Sequence, residues 1–283
     1  VATALTASTT PPVEAAAPTC GAAVRKSDGT AWRCTFSDEF TGSSLNRANW
    51  QPVTTATSGY HIGTDCYVDS PTSIAVGSGT LKLTTRRTAR PFTCSSPSGS
   101  YTSSYTSASL SSLGRYAQTY GRYEIRAKFP ATRTAGTHSA WWLWPESYSY
   151  GGWPWSGEID IAEFYSQHAD RAIPQVHYVP QQDQGIAARS SYWCLMKNPS
   201  QFHTYALEWT RTRLLVQYDG ATCLDLALQP AVSQAGTPLA AGQPFDQPFT
   251  LALTQGIGAE GNAPTAGTAL PATMEVDYVR VWS

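Results

Sequence analysis

Residues 153–164 read WPWSGEIDIAEF, with three acids interleaved among apolar residues. Side chains alternate between the two faces of a β-strand, so a strand here places Glu158 and Asp160 on one face. Glu163 lies five positions after Glu158, an odd offset that would turn it to the opposite face. A single β-bulge near residues 161–162 would restore the phase and bring all three acids together. Carboxylates crowded on one face repel each other, so the pattern predicts a catalytic site rather than an ordinary sheet surface.

Aromatic residues surround these acids in the sequence and indicate what the site binds. Flat aromatic faces suit a sugar ring, whose C–H faces are apolar and whose rim carries hydroxyl groups. A solvated edge strand does not explain such flanks, and calcium sites draw their oxygen ligands from irregular, Gly-containing loops. We therefore predict a carbohydrate site and rank a metal site below it. The aromatic residues are Tyr148, Tyr150, Trp153, Trp155, Phe164 and Tyr165.

The composition excludes several classes of partner. The chain has 283 residues, a net charge of −1 and 14% charged residues, against about 25% in typical soluble proteins. Nothing in this balance indicates a nucleic acid or an anionic membrane surface as a partner. No apolar run reaches the roughly 18 residues that a transmembrane helix requires. We expect a polysaccharide or oligosaccharide substrate, no nucleic-acid or membrane partner, and a monomer.

The six cysteines indicate disulfides and therefore an oxidising compartment. Their number is even, and no C-x-x-C spacing of the kind that binds zinc occurs. Six cysteines allow many pairings, of which we favour nearest neighbours in the sequence. We expect a secreted, extracellular protein. The expected disulfides are Cys20–Cys34, Cys66–Cys94 and Cys194–Cys223.

The chain divides into a short arm and one domain. Residues 1–19 are rich in Ala, Thr and Pro, with too little apolar bulk to pack, and we expect a disordered linker or arm. Residues 20–283 show frequent turn signals and short runs of alternating polarity, and we expect a single catalytic domain. No helical periodicity longer than a turn or two and no internal repeat interrupts them. Many short strands without helices predict an all-β sandwich or barrel. The clearest alternating runs are residues 80–85, 123–129, 214–218 and 275–282.

Several segments, in order, resemble glycoside hydrolase family 16, the laminarinase-like enzymes with an E-x-D-x-x-E motif. The acids of residues 158–163 fit that motif, and the other segments match further strands of the family. The resemblance implies a β-jelly roll of two curved antiparallel sheets, whose concave face holds a sugar-binding cleft. The matching segments are residues 36–42 with Trp50, 120–128, 140–145, 153–163, 202–209 and 276–282.

The resemblance also implies a retaining endo-glycosidase that acts on β-glycosidic bonds. By position, Glu158 would be the nucleophile, Asp160 its partner and Glu163 the acid/base. Retaining chemistry needs two carboxyl groups about 5–5.5 Å apart, one ionised and one protonated. We expect Glu158 to be ionised, with a hydrogen bond to Asp160, and Glu163 to hold its proton among the neighbouring acids and aromatics.

Other residues complete the expected site. Trp142 and Trp153 resemble cleft aromatics of the family, and His177 resembles a histidine near the acid/base that could contact Glu163 or a sugar hydroxyl. We interpret His138 as structural. The candidate substrate contacts are Trp142, Trp144, Trp153, Trp155 and His177.

The family resemblance implies a metal ion in a structural role only. Many relatives in the family bind one calcium ion on the convex face through an aspartate of the last strand. The resemblance makes Asp277 the candidate ligand here, with the backbone near Glu39, and the alternative is an ordinary surface aspartate. No cofactor is expected to be required for catalysis.

Three departures from the family pattern leave the sugar open. Ala162 stands where many relatives have Met, Thr72-Ser73 replace Glu-Asn, and residues 109–111 lack an Arg. We expect β-1,3-glucan or mixed-linkage β-1,3-1,4-glucan as substrate, with a β-galactan as the alternative. A transglycosylase uses the same intermediate and stays possible. A non-catalytic carbohydrate-binding protein is disfavoured, because Glu158 and Glu163 are both present.

Overall fold

The computed structural model describes residues 18–283, so the expected arm at residues 1–19 lies outside the described residues except for its last two. The described chain is almost entirely β-structure, and its helices are single turns: α1 (Thr55–Ser58) and the 3₁₀ turns Ser166–His168, Ile186–Arg189 and Glu260–Asn262. The strands are β1 (Cys34–Asp38), β2 (Gln51–Pro52), β3 (Cys66–Tyr67), β4 (Ile74–Gly77), β5 (Thr80–Cys94), β6 (Tyr101–Ser111), β7 (Ala117–Gln118), β8 (Gly121–Lys128), β9 (Thr137–Pro145), β10 (Glu158–Tyr165), β11 (Ile173–His177), β12 (His203–Trp209), β13 (Arg213–Tyr218), β14 (Ala221–Ala227), β15 (Phe249–Ile257) and β16 (Ala272–Trp282).

The strands form two curved layers. The cleft sheet has the order β11-β10-β9-β15-β6, and the outer sheet has the order β5-β16-β8-β12-β13-β14. Long strands β5 and β6 join the layers: β5 pairs with β16 through its first half and with β6 through its second. Every pairing between named strands is antiparallel except that of the two-residue β3 with β6. This architecture confirms the expected jelly roll of two curved sheets.

The core lies between the two sheets and follows from alternation along the strands. In β8, Tyr123, Ile125 and Ala127 are fully buried, and the residues between them face outward. On the outer face, Arg122 donates to Glu208 of the neighbouring strand at 2.8 Å. Large aromatic side chains from both sheets fill the space between these layers. The fully buried aromatics include Trp50, Trp141, Trp209, Tyr205, Phe129 and Phe164.

The cysteines pair as nearest neighbours in the sequence, which is the expected pairing. Their Cα–Cα distances are 5.7 Å for Cys20–Cys34, 5.8 Å for Cys66–Cys94 and 5.3 Å for Cys194–Cys223. The last bridge ties the loop after β11 to strand β14 of the outer sheet. No helix among residues 18–283 is long and apolar enough to cross a membrane.

Candidate active site

The β-bulge expected in the acidic strand is present in β10. Its pairing with β9 proceeds from Asp160 opposite Trp142 to Ala162 opposite Trp141, so one residue of β10 is extra. The pairing with β11 shifts between Asp160 and Glu163. Beyond the extra residue the alternation resumes in a new phase, and Glu163 reaches the same face as Asp160. The apolar residues of β10 belong to the core cluster: Ile159, Ile161, Ala162 and Phe164.

The turn before β10 fixes where the acids begin. Gly157 has φ +85°, and a Cβ there would lie 2.8 Å from the ring of Phe245. Only glycine therefore fits both the left-handed backbone and the close approach. The buried Ser156 closes the preceding loop by bonding the backbone of Tyr150 and Gly151. This loop carries Trp153 to the mouth of the cleft.

The acids face a cavity of about 720 Å³ on the cleft sheet. Its floor is formed by strands β6, β9, β10 and β15. The segment around α1 closes one side, and aromatic side chains occupy several of its walls. A cavity of this size and character is typical of a binding site for a small ligand or part of a polymer. The lining includes Glu158, Asp160, Glu163, Trp142, Trp144 and Tyr148.

Glu158 is bonded to a tryptophan instead of the expected Asp160. The indole Nε1–H of Trp153 donates to Oε2 of Glu158 at 2.6 Å. Asp160 lies beside His177, whose Nε2 is 3.1 Å from its Oδ2. The rings of Trp153 and His177 are also in contact, with centroids 5.6 Å apart. Trp153 and His177 thus lie beside the acids, but Glu158 is bonded to Trp153 and not to Asp160, and His177 contacts Asp160 and not Glu163. The alternative contact of His177 with a sugar hydroxyl stays a prediction.

Glu163 has three hydrogen-bond partners, and each comes from a different strand of the cleft sheet. The phenol of Tyr165 donates to Oε1 at 2.8 Å, and Gln175 of β11 donates through Nε2 to Oε2 at 2.5 Å. His138 of β9 lies with Nε2 2.9 Å from Oε1. His138, which we interpreted as structural, thus contacts the expected acid/base directly. We call these three residues the donor set of Glu163.

The pKa values of the two glutamates are shifted in the directions opposite to those expected. Burial raises the pKa of Glu158 well above its ordinary value, and the charge of Asp160 adds to this. Burial also raises the pKa of Asp160, with a further contribution from Glu163. Burial alone would raise the pKa of Glu163, but the hydrogen bond and charge of His138, together with the hydrogen bonds from Tyr165 and Gln175, outweigh this and lower it. In the protein without substrate, Glu163 is thus the acid that holds its charge most readily.

Not all predicted substrate contacts lie in the cavity. Trp142 lines it, but Tyr60 stacks on Trp142 with centroids 6.0 Å apart, so Tyr60 covers part of its surface. Trp144 lines the cavity and donates its Nε1–H to Tyr148. Trp153, Trp155 and His177 are not among the lining residues, so their roles as substrate contacts stay predictions. Trp153 and His177 nevertheless contact Glu158 and Asp160, whereas Trp155 is half-buried.

The possible metal ligands have other partners. Asp277 accepts a hydrogen bond from Arg126 at 2.6 Å, and Glu39 is held by two hydrogen bonds from Arg280. These contacts neutralise both carboxylates and do not assemble a set of calcium ligands, so the calcium site stays a prediction that the side chains do not favour. Ligand atoms of Glu158, Asp160 and His177 lie within 4.8 Å of one another. The close contact between His177 and Asp160 accounts for part of that grouping.

The sequence contained a signal for the residues that were missed. Tyr165 is two positions after Glu163, and Gln175 is two positions before His177, so alternation places both on the cleft face. His138 is four positions before Trp142 on the same strand and lies opposite Tyr165 in the pairing. Extending the alternation in both directions along each strand would have identified the donor set. The distances from the donor set to Glu163 depend on the register between neighbouring strands, which alternation along one strand does not determine.

Several known proteins are similar to this chain in sequence. The family described as glycosyl hydrolases family 16 matches residues 64–278. A beta-glucanase of Rhodothermus marinus is 35% identical over 184 residues, which cover 63% of this chain and 62% of that protein. A keratan-sulfate endo-1,4-beta-galactosidase of Sphingobacterium multivorum is 33% identical over 63% of this chain and 40% of its own length. The chain thus spans less than two thirds of either curated relative.

A solved structure extends the likeness to three dimensions. The laminarinase from Rhodothermus marinus superimposes with a TM-score of 0.72 at 30% identity, covering 89% of this chain and 97% of that one. The family match covers more than half of the chain and includes the whole of β10. The resemblance on which the sequence analysis relied is thereby confirmed, and the chain belongs to family 16 of the glycosyl hydrolases.

Proposed function

We propose that this protein is a retaining endo-β-glycosidase that hydrolyses internal bonds of β-1,3-glucan or mixed-linkage β-1,3-1,4-glucan. The observation that carries the proposal is the bulged strand β10, which presents Glu158, Asp160 and Glu163 to one open cavity. The similarity to a beta-glucanase and to a laminarinase supports a β-glucan as the substrate. Enzymes of this family need no cofactor for catalysis.

The proposed reaction has two displacements. In the first, the carboxylate of Glu158 attacks the anomeric carbon, the glycosidic C–O bond breaks, and the proton of Glu163 passes to the leaving oxygen. In the second, Glu163 takes a proton from water, the water oxygen attacks the same carbon, and Glu158 leaves as a carboxylate. Two inversions return the β configuration. Trp153 holds the Glu158 carboxyl in place through its indole N–H.

The protonation found without substrate fits the second displacement better than the first. A water molecule must lose its proton to an ionised Glu163, and the donor set favours that form. The first displacement needs the opposite arrangement, with the proton on Glu163 and the charge on Glu158. We propose that a proton passes from Glu158 to Glu163 once the sugar is bound, and that the positive charge developing at the anomeric carbon in the transition state then stabilises the carboxylate of Glu158.

A β-galactan is the second candidate substrate. Ser109 and Ser111 line the cavity where the family often carries an Arg, so the sugar contacts differ on that side. One relative is named as a keratan-sulfate endo-1,4-beta-galactosidase. Product analysis on laminarin, lichenan, curdlan, agarose and a β-galactan distinguishes the two candidates. Turnover of the galactan with none of the β-glucans would refute the glucan assignment.

Stereochemistry tests the reaction type. We expect proton NMR of fresh digests to show the β anomer of the new reducing end before the α anomer, as retention requires. An inverting enzyme needs its carboxyls about 6.5–9.5 Å apart, to leave room for a water molecule. If the α anomer appeared first, the close approach of Glu158 and Glu163 that we propose would be refuted.

Azide tests which glutamate has which role. With an aryl β-glycoside whose leaving group needs no acid, Glu163→Ala should still form the glycosyl-enzyme. Azide, which needs no general base, should then attack that intermediate and give a β-glycosyl azide. In Glu158→Ala, azide should replace the missing nucleophile and give an α-glycosyl azide. The opposite pairing of variant and product would reverse the two assignments.

We also propose that the protein is a secreted monomer. Three disulfides support an oxidising compartment, because such bonds persist mainly outside the reducing cytosol. Sedimentation of the purified protein tests the monomer, and fractionation of the producing culture tests secretion. A stable dimer or a cell-retained protein would contradict the respective statement.

A further inference from the structure

Large apolar side chains are exposed in only two places among residues 18–283. Three of them belong to the cleft: Leu113 and Tyr148 line the cavity, and Trp153 is bonded to Glu158. The other four lie together in residues 186–195, and we call them the aromatic shelf. Soluble proteins rarely cluster exposed apolar groups without a binding function. The shelf consists of Ile186, Tyr192, Trp193 and Leu195, which are 37%, 45%, 81% and 63% exposed.

The shelf is held rigidly against the edge of the cleft sheet. Its segment forms β-bridges from Ser190 to Gln175 and from Leu195 to Arg171. The guanidinium of Arg171 donates to the backbone oxygen of Tyr192 at 2.8 Å. The Cys194–Cys223 disulfide anchors the segment to the outer sheet. A ring presented from such a braced segment loses little conformational entropy when a ligand binds.

The shelf segment lies next to β11, the edge strand at the end of the cleft sheet away from β6. Gln175, whose side chain holds Glu163, pairs through its backbone with Ser190, two residues from Tyr192. The pKa of Tyr165 is raised mainly by burial and by Glu163, and Tyr192 is close enough to contribute. Neighbouring strands lie about 4.8 Å apart, so the segment beyond β11 is about 10 Å from β10. A single polysaccharide chain that occupies the acids can span that distance.

We propose that Tyr192 and Trp193 form a further saccharide-binding site that extends the cleft past β11 and binds more distant sugar units of the same chain. The site presupposes the glycosidase function proposed above. Exposed aromatic rings match the apolar C–H faces of pyranose rings. Asp170 and Arg171, which pair at 2.8 Å beside the shelf, supply polar groups for the hydroxyl rim. The alternative occupant of such a surface is a second copy of the chain.

Substrate length separates this site from the cavity. We expect Trp193→Ala to lower kcat/KM on polymeric β-glucan roughly tenfold, the loss expected for one stacked aromatic contact. On a short aryl β-glycoside that fills only the cavity, the variant should match the parent. Trp193→Phe should restore most of the activity on the polymer. The control is Trp32→Ala, which removes a half-buried tryptophan that packs on Lys26 and does not line the cavity.

Binding is measured independently of turnover. Affinity electrophoresis in gels that contain the same glucan should retard the parent and Trp32→Ala, but retard Trp193→Ala much less. Three results would overturn the shelf while leaving the glycosidase function intact. Trp193→Ala could have the same kcat/KM as the parent on the polymer, lose equal activity on both substrates, or be retarded as strongly as the parent. A parent that neither cleaves nor binds any glycan would overturn both. Sedimentation that shows a dimer lost in Trp193→Ala would identify the shelf as a self-association surface and overturn the proposal.

Discussion

Replacing Tyr165 with phenylalanine removes one donor from Glu163 and leaves the rest of the site in place. The phenol donates to Oε1 of Glu163 at 2.8 Å, and His138 and Gln175 remain as partners of the same carboxyl. The tyrosine ring packs on His138 with centroids 4.8 Å apart, and phenylalanine preserves that contact. The change therefore addresses the charge of Glu163 with little effect on its position.

The size of the effect follows from the hydrogen bond. A hydrogen bond to a charged group contributes about 1.5–3 kcal/mol, and about 1.4 kcal/mol corresponds to one pKa unit. Because two donors remain, we expect the lower end, a rise of about one unit in the pKa of Glu163. The sign is fixed: the hydroxyl stabilises the carboxylate and lowers its pKa, so its removal raises the pKa.

The assay isolates the step in which Glu163 acts as a base. An aryl β-glycoside with a good leaving group makes hydrolysis of the glycosyl-enzyme rate-limiting, so kcat reports that step. Activity is then lost as the pH falls through the pKa of Glu163, because the protonated acid cannot activate water. We expect the acid limb of kcat to move up by about one pH unit in Tyr165→Phe.

A matched control is available in the core. The hydroxyl of Tyr205 is buried and has no hydrogen-bond partner among the described residues, so Tyr205→Phe removes the same atom from a tyrosine that packs on Phe129 and Tyr218 in the core. Its pH profile should coincide with that of the parent. If the acid limb of Tyr165→Phe stayed in place or moved down, or if the control moved equally, the donor set would not control the charge of Glu163.

Further variants test the other parts of the site. Glu158→Gln should abolish nearly all turnover with an unchanged melting temperature, whereas activity within a few-fold of the parent would reject its role as nucleophile. Glu163→Gln should lower kcat about 10²–10⁴-fold on a polymer, which needs acid assistance, and far less on an activated aryl glycoside. The intact protein should weigh about 6 Da less than its all-thiol form, and serines at the Cys194–Cys223 pair should cost about 2–4 kcal/mol of unfolding free energy. Calcium or a chelator should leave the melting temperature unchanged, because Asp277 and Glu39 already have arginine partners.

The sequence predicted the architecture and the three acids because both depend on local alternation. The odd offset between Glu158 and Glu163 required an extra residue, and the bulge is found where that residue was expected. The alternating burial of β8 likewise follows directly from its pattern of apolar and charged residues. Family resemblance added the jelly roll and the reaction class, which no single strand determines.

The hydrogen bonds of the acids were less predictable because they join different strands. Glu163 accepts hydrogen bonds from Gln175 of β11 and His138 of β9. The registers of β10 with β11 and with β9 cannot be obtained from one strand alone. The indole of Trp153 comes from a loop whose course depends on Gly157 and on the core aromatic Phe245. Alternation indicated which side chains share the cleft, but it could not show which carboxyl would receive the donors.

The bulge in β10 thus determines two properties of the site together. It turns Glu163 to the cleft face, and it also sets the register that brings Glu163 opposite Ala140 on β9 and next to Ile173 on β11. With a small alanine directly across, Glu163 has room beside it for the side chains of His138 and Gln175. Glu158 lies before the bulge, where Trp153 is its only hydrogen-bonded side chain among residues 18–283. The same extra residue that aligns the two glutamates therefore gives them unequal numbers of donors, and this inequality separates their pKa values in the direction that the second displacement uses.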